Sequence, residues 1–297
     1  SRFVPYAYTR RAASYFNLKE YNKTAQDYIT VLENYGSHPA SNDVLIPLQE
    51  ALNLSGRSSD FDKYLAEFKT AHPDAKGIES VEFESSKNLY FNQDYQKAIT
   101  ALTRYTNSYP ESPRLSEAKY YQAESYYRLK DWNKALSIYA ELAQDKTFLF
   151  ASKVIGRLAE LEFKQGHYEK AVPYFQQLAR LASNKKEQYT AWSGLLDSYY
   201  LLAQYDSADV YARVILEKGN INAGAQNKAS LFLGKSAMAR GDYVVAQDEF
   251  LNTLNSAQDE YGAEAKYLLG EIQYLTKENK QCYETLVSLN SDFAAYP

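Results

Sequence analysis

Apolar and polar residues follow one another along this chain with the period of a helix, not that of a strand. The clearest stretch, Ser116 to Gln144, reads SEAKYYQAESYYRL, then Lys130-Asp131, then WNKALSIYAELA. In its second part Trp132, Ala135, Leu136, Tyr139 and Leu142 recur at i, i+3, i+4, i+7 and i+10, which is one helical face. No segment sustains the strict alternation of a half-buried strand. The pattern predicts an all-α chain of amphipathic helix pairs joined by short turns.

The pair repeats. Tyr21, Phe61, Tyr95, Trp132, Tyr168, Tyr205, Tyr243 and, in the same register, Asn279 follow one another at steps of 40, 34, 37, 36, 37, 38 and 36 residues. A period in this range signals stacked supersecondary units. Three residues after each marker stand Thr24, Tyr64, Ala98, Ala135, Ala171, Ala208, Ala246 and Cys282, mostly small enough for two helices to approach closely. Eight units follow, at residues 5–44, 45–78, 79–115, 116–151, 152–188, 189–226, 227–262 and 263–297. They are expected to stack as a single solenoid over 1–297, as a segment of a longer array or the whole of it. Gly166 and Gly241 fit the left-handed position that ends a helix. Pro39, Pro73 and Pro110 stop second helices. Unit two is the least regular, with Leu52 and Tyr64 where small residues are expected.

The unit SEAKYYQAESYYRLKDWNKALSIY resembles the tetratricopeptide repeat (TPR), a helix-turn-helix module of about 34 residues. The family's small eighth residue is matched by Ala12, Ser86, Ala123, Ala159, Gly234 and Gly270. Its alanine at position twenty is matched by Ala98, Ala135, Ala171, Ala208 and Ala246, and its large residue at position twenty-four by Tyr28, Phe68, Leu102, Tyr139, Phe175, Phe250 and Leu286. Leu52, Leu196 and Ala212 depart from the pattern, so units two and six are expected to pack with local adjustment. The resemblance covers essentially the whole chain and implies a right-handed α-α superhelix that binds another protein. Tyr109-Pro110-Glu111-Ser112-Pro113, followed by Glu117-Ala118 and Tyr126-Tyr127, resembles TPR proteins of the bacterial cell envelope. Richness in tyrosine and asparagine suits a Bacteroidetes-type source.

Composition narrows the function classes. The net charge of −4, with Lys and Arg scattered, offers no basic block to track a phosphate backbone, so no nucleic-acid partner is expected. No apolar run approaches the ~18 residues that would span a bilayer. The chain opens on Ser1-Arg2-Phe3-Val4 with no initiator Met or signal-like stretch, as a mature or excised segment would. The expected location is the cell envelope or periplasm, with the cytoplasm as the alternative; the single cysteine leaves the redox compartment open. The 29 tyrosines suit helix seams that border solvent.

Candidate chemistry is sparse. Ala229-Ser230-Leu231-Phe232-Leu233-Gly234-Lys235-Ser236 matches a relaxed phosphate-loop string, but it falls within a helical pattern, where its N–H groups are already used. His38, His72 and His167 lie whole repeats apart at helix ends, so no metal site is expected. Cys282 takes the alanine position and is expected to be a small buried core residue rather than a nucleophile. No cofactor and no enzymatic activity are expected.

By resemblance, positions two, five, nine and twelve of each first helix line the concave groove. Positions nine and twelve give Lys87 and Tyr90, Glu124 and Tyr127, Glu160 and Phe163, Asp197 and Tyr200, Lys235 and Met238, and Glu271 and Tyr274; position five adds Tyr120 and Tyr267. Aromatic rings interleaved with carboxylates would hold a basic or aromatic-rich extended peptide or a partner protein along units four to six. The row is expected to be left open for a ligand, since helix pairing is assigned to small and apolar positions. The lysine-and-asparagine carboxylate clamp of chaperone-binding relatives is not reproduced by Asn53 and Lys87 alone. Self-association is left open. A carbohydrate-binding or nutrient-uptake accessory is a second reading, although the regular period leaves no room for the inserted loops it needs. The regulatory arm of an enzyme whose catalytic domain lies elsewhere is a third.

Overall fold

The computed structural model describes residues 1–72, 77–145, 148–218 and 223–296. Among them lie sixteen α-helices, in the expected pairs, and no strand. The first four pairs are α1 (Val4–Asn17) with α2 (Tyr21–Tyr35), α3 (Leu45–Leu54) with α4 (Phe61–Ala71), α5 (Ile78–Phe91) with α6 (Tyr95–Ser108), and α7 (Leu115–Arg128) with α8 (Trp132–Leu142). The others are α9 (Ala151–Lys164) with α10 (Tyr168–Leu181), α11 (Lys185–Leu201) with α12 (Tyr205–Lys218), α13 (Ala223–Ala239) with α14 (Tyr243–Ser256), and α15 (Glu260–Leu275) with α16 (Asn279–Asp292). Two short 3-10 helices, Pro39–Asp43 and Ser58–Asp60, are additions to the expected pattern. Pro73, expected to stop a second helix, lies outside the described residues, as does Pro297.

Contacts gather into two compact units, Ser1–Ile138 and Tyr139–Pro297. Within each, a helix packs chiefly on its neighbours in sequence, as α5 does on α6 and α13 on α14. First helices also touch the first helices of adjacent pairs: α3 with α5 and α5 with α7 in one unit, α9 with α11, α11 with α13 and α13 with α15 in the other. Nearest-neighbour contact of this kind is what a solenoid requires.

The turn inside each of the eight pairs passes through one left-handed residue: Lys19, Gly56, Gln93, Lys130, Gly166, Ala203, Gly241 or Lys277, with φ between 56° and 80°. At Lys130 the closure is visible: its N–H donates to the Tyr127 carbonyl and the Asp131 N–H to the Tyr126 carbonyl, both at 3.0 Å. These bonds satisfy the last carbonyls of the first helix. They also hold five side-chain-bearing residues in a conformation costing about 1–2 kcal/mol each without glycine.

Small residues admit their partners as expected. Ala12, Ala123 and Ala159 are fully buried, and so are Ala98, Ala135, Ala171, Ala208 and Ala246. A Cβ on Gly234 would stand 2.5 Å from the Phe250 ring, and one on Gly270 would stand 2.5 Å from Leu286. In unit six the sizes are exchanged. The large Leu196 stands at the eighth position and the small Ala212 at the twenty-fourth, and both are fully buried in one cluster. Gly194, which the repeat pattern does not mark, lies so close to Phe175 that a Cβ would come within 2.3 Å of the ring.

Cys282 corrects an expectation. It is half-buried, because α16 buries none of its residues and leaves Tyr283 and Val287 exposed. The phosphate-loop string lies inside α13. His38 accepts the Ala40 N–H on Nδ1 at 3.1 Å, His72 closes α4, and His167 precedes α10 with Nδ1 2.8 Å from Glu162. Among the described residues no group of three or more His, Cys, Asp or Glu is placed to hold a metal, and no helix is long and apolar enough to cross a membrane.

Candidate partner-binding face

Charged residues on the first helices join one repeat to the next in a fixed register. Lys228 Nζ lies 2.6 Å from Asp197 Oδ2 and donates to Ser193 Oγ at 2.9 Å. Lys235 Nζ lies 2.6 Å from Glu264, and Lys87 Nζ lies 3.5 Å from Glu117. Counted within their units, each ion pair links position nine of one repeat to position two of the following one. Rings obey a second rule. Tyr90 packs on Tyr121 and Tyr200 on Phe232, each with centroids 5.1 Å apart, which links position twelve to position six of the next repeat. Lys235 lies 5.2 Å from the Tyr200 ring and 4.8 Å from that of Phe232, a cationic contact that closes the seam.

These links change the expected groove. Tyr120 and Glu124 are buried, at 7% and 2% exposure, and the Tyr90 hydroxyl reaches Glu124 Oε2 at 3.5 Å. Asp197 is half-buried against Lys228, and its burial, opposed by that lysine, pushes its carboxyl above the usual aspartate range. Glu160 lies 3.0 Å from Arg157 and 2.6 Å from Lys164 on its own helix. Tyr127, Phe163 and Tyr200 are half-buried; Phe163 packs on Tyr168 at 5.2 Å and Tyr200 on Tyr205 at 5.6 Å. Burial raises the Tyr90 and Tyr200 hydroxyls; at Tyr90 the charge of Glu124 adds to the rise and Arg128 opposes it. The expectation of an open row is therefore corrected: much of it joins repeat to repeat.

Unit eight differs. On α15 Tyr267 is 53% and Tyr274 68% exposed, with Glu271 half-exposed between them. Spacings of four and three put all three on one helical face. Sequence reasoning placed these residues on a face but missed the inter-repeat register, which needs two units at once. The opposite signs at positions nine and two were its one readable trace.

Paired helices closed by left-handed turns, with small residues where they cross, define an α-hairpin repeat protein. A family model described as tetratricopeptide repeat matches residues 84–147 and 157–221, so the repeats in those segments are of that family. No curated protein matches the chain. Among solved structures, the C-terminal part of a TPR repeat-containing protein from Cytophaga hutchinsonii is similar at 18% identity and a TM-score of 0.56, over 75% of this chain and 86% of that one. The apo form of RapI is similar at 13% identity and 0.55, over 96% and 87%. A signal-transduction ATPase from Pyrococcus horikoshii with a tetratricopeptide repeat sensor is similar at 15% and 0.53, over 92% of this chain and 44% of that one. At these identities the likeness is one of fold.

Proposed function

We propose that this chain is a non-enzymatic scaffold that binds a partner protein or peptide through the first-helix face of its C-terminal repeats. The observation that carries this reading is the contrast between repeats. Position-nine and position-twelve residues are covered in units three and six, while Tyr267, Glu271 and Tyr274 present two rings and a carboxylate to solvent. Exposed aromatics around a charge are the composition of a binding hot spot. Glu160 and Phe163 hold the same two positions in α9, where Glu160 is paired with Arg157 and Lys164 and Phe163 packs on Tyr168. Tyr90, Glu124, Asp197 and Tyr200 support it by joining neighbouring repeats, while Tyr120 packs on Tyr121 and Tyr127 is half-buried within α7.

The test is quantitative capture by immobilised full chain, with a variant carrying Tyr267→Ala, Glu271→Lys and Tyr274→Ala. The variant should keep its helical signal and lose most of the partner retained by the parent. Equal capture by both would refute the reading. Placement in a bacterial cell envelope is supported by the resemblance of the 109–113 segment to envelope TPR proteins. Cell fractionation of a tagged protein checks it, and recovery in the cytosolic fraction would count against it.

A further inference from the structure

From the register of the internal seams we infer that the partner held at unit eight presents an α-helix carrying a basic residue and, four residues later, an aromatic ring. This rests on the scaffold reading and specifies its ligand. Unit six supplies the template. Its Asp197 and Tyr200, at positions nine and twelve, receive Lys228 and Phe232 of α13. Lys228 and Phe232 are four residues apart, hence neighbours on one helical face. Unit three repeats the ring half of the arrangement, with Tyr90 receiving Tyr121, four residues after Glu117, and here the charges are reversed because Lys87 stands at position nine. The helix that docks thus carries the charge opposite to position nine.

In unit eight the same positions are Glu271 and Tyr274, in the sense of unit six: acid, then ring three residues on. Position five, where Ser193 accepts a second bond from Lys228, is Tyr267, whose hydroxyl can accept in the same way. The exposed set is therefore the receiving half of a seam seen elsewhere in the same molecule. A cation on the incoming helix pairs with Glu271, and its ring packs on Tyr274. An extended peptide would not place a cation and a ring at this helical spacing.

The experiment uses a fluorescein-labelled peptide of residues 224–240, which contains Lys228 and Phe232, stapled into a helix on the opposite face. Its anisotropy is titrated with the full chain. Binding is expected, with Kd rising at least tenfold for the Glu271→Lys protein and for Tyr274→Ala. A peptide carrying Lys228→Glu should recover binding to the Glu271→Lys protein, an exchange that general destabilisation cannot produce. Absence of peptide binding, or binding indifferent to Glu271→Lys, would overturn the inference. So would sedimentation showing growth of the chain with concentration that Glu271→Lys abolishes, since the occupant would then be a second copy. Partner capture that depends on Tyr267, Glu271 and Tyr274 without peptide binding would overturn the helix and leave the scaffold reading standing. Capture indifferent to those residues would overturn the scaffold reading itself.

Discussion

Arg114 Nη1 holds Glu79 Oε2 at 2.7 Å, tying the start of α7 back to the start of α5. The other Glu79 oxygen accepts from the Tyr105 hydroxyl and, at 2.8 Å, from Ser112. Burial alone would raise the Glu79 carboxyl, but the bonds from Tyr105 and Ser112 and the charge of Arg114 outweigh it and hold the group below the usual range. The Tyr105 hydroxyl, buried and donating to Glu79, is pushed up to about 12. The loop between α6 and α7 is thereby fastened by one carboxylate.

Glu79→Gln should cost about 1–2 kcal/mol at neutral pH, the scale of partly exposed charge-assisted bonds. A carboxylate with a lowered native pKa stabilises at pH values above its unfolded pKa and loses that contribution as pH falls through the native one. The gap between parent and variant in urea denaturation should therefore close on acidification. A gap that stayed constant down to low pH would show that the charge plays no part.

Asp197 titrates in the opposite direction. It keeps its proton to higher pH than an exposed aspartate, so the native state binds more protons just above the ordinary range and stability falls as pH rises through it. Lys228→Met removes the opposing attraction and raises the native pKa further. The variant should lose stability more steeply than the parent as pH rises above the ordinary aspartate range. Parallel stability–pH curves for the two proteins would contradict this assignment.

Three glycines should rank by what a methyl group would meet. Gly156→Ala finds only ordinary contact, 3.7 Å from Leu178, and should stabilise by up to about 1 kcal/mol through helix propensity. Gly270→Ala meets Leu286, which is 38% exposed and can move aside. Gly234→Ala meets the fully buried Phe250 ring and should cost about 1–3 kcal/mol by overpacking. Thermal or chemical denaturation of the three variants checks the order, and a Gly234→Ala protein as stable as the parent would refute the packing argument.

Ala203 has φ of 56° at an exposed turn. Ala203→Gly relieves the left-handed strain at some cost in unfolded-chain entropy, and a net gain of about 0.5–1 kcal/mol is expected. The converse change, Gly166→Ala at φ 78°, should lose a similar amount. Denaturation midpoints moving in the same direction for both would refute the turn assignment.

The helices were legible because Trp132, Ala135, Leu136, Tyr139 and Leu142 state their face within one segment, and the turns because Gly166 and Gly241 advertise a left-handed residue. Lys19, Gln93, Lys130, Ala203 and Lys277 do the same work without that signal, since the closing hydrogen bonds offset the strain. The face was only half legible. Tyr120 and Glu124 sit at groove positions by count, yet their burial is decided by Tyr90 and Tyr121, whose influence depends on how one repeat is set against the next. Gly194 escaped notice because it clears Phe175 of the preceding pair rather than a partner in its own.

The exchange of Leu196 and Ala212 bears on how such a chain can change over generations. Both residues lie in one helix pair, α11 and α12, so the compensation travels with the gene segment that encodes it. A duplication or deletion with endpoints in the loops between pairs would carry or remove both volumes together. An endpoint inside the turn at Ala203 would join Leu196 to a large residue such as Phe250, or Ala212 to a glycine such as Gly234. Recombination within the pair is thus disfavoured where recombination between pairs is not.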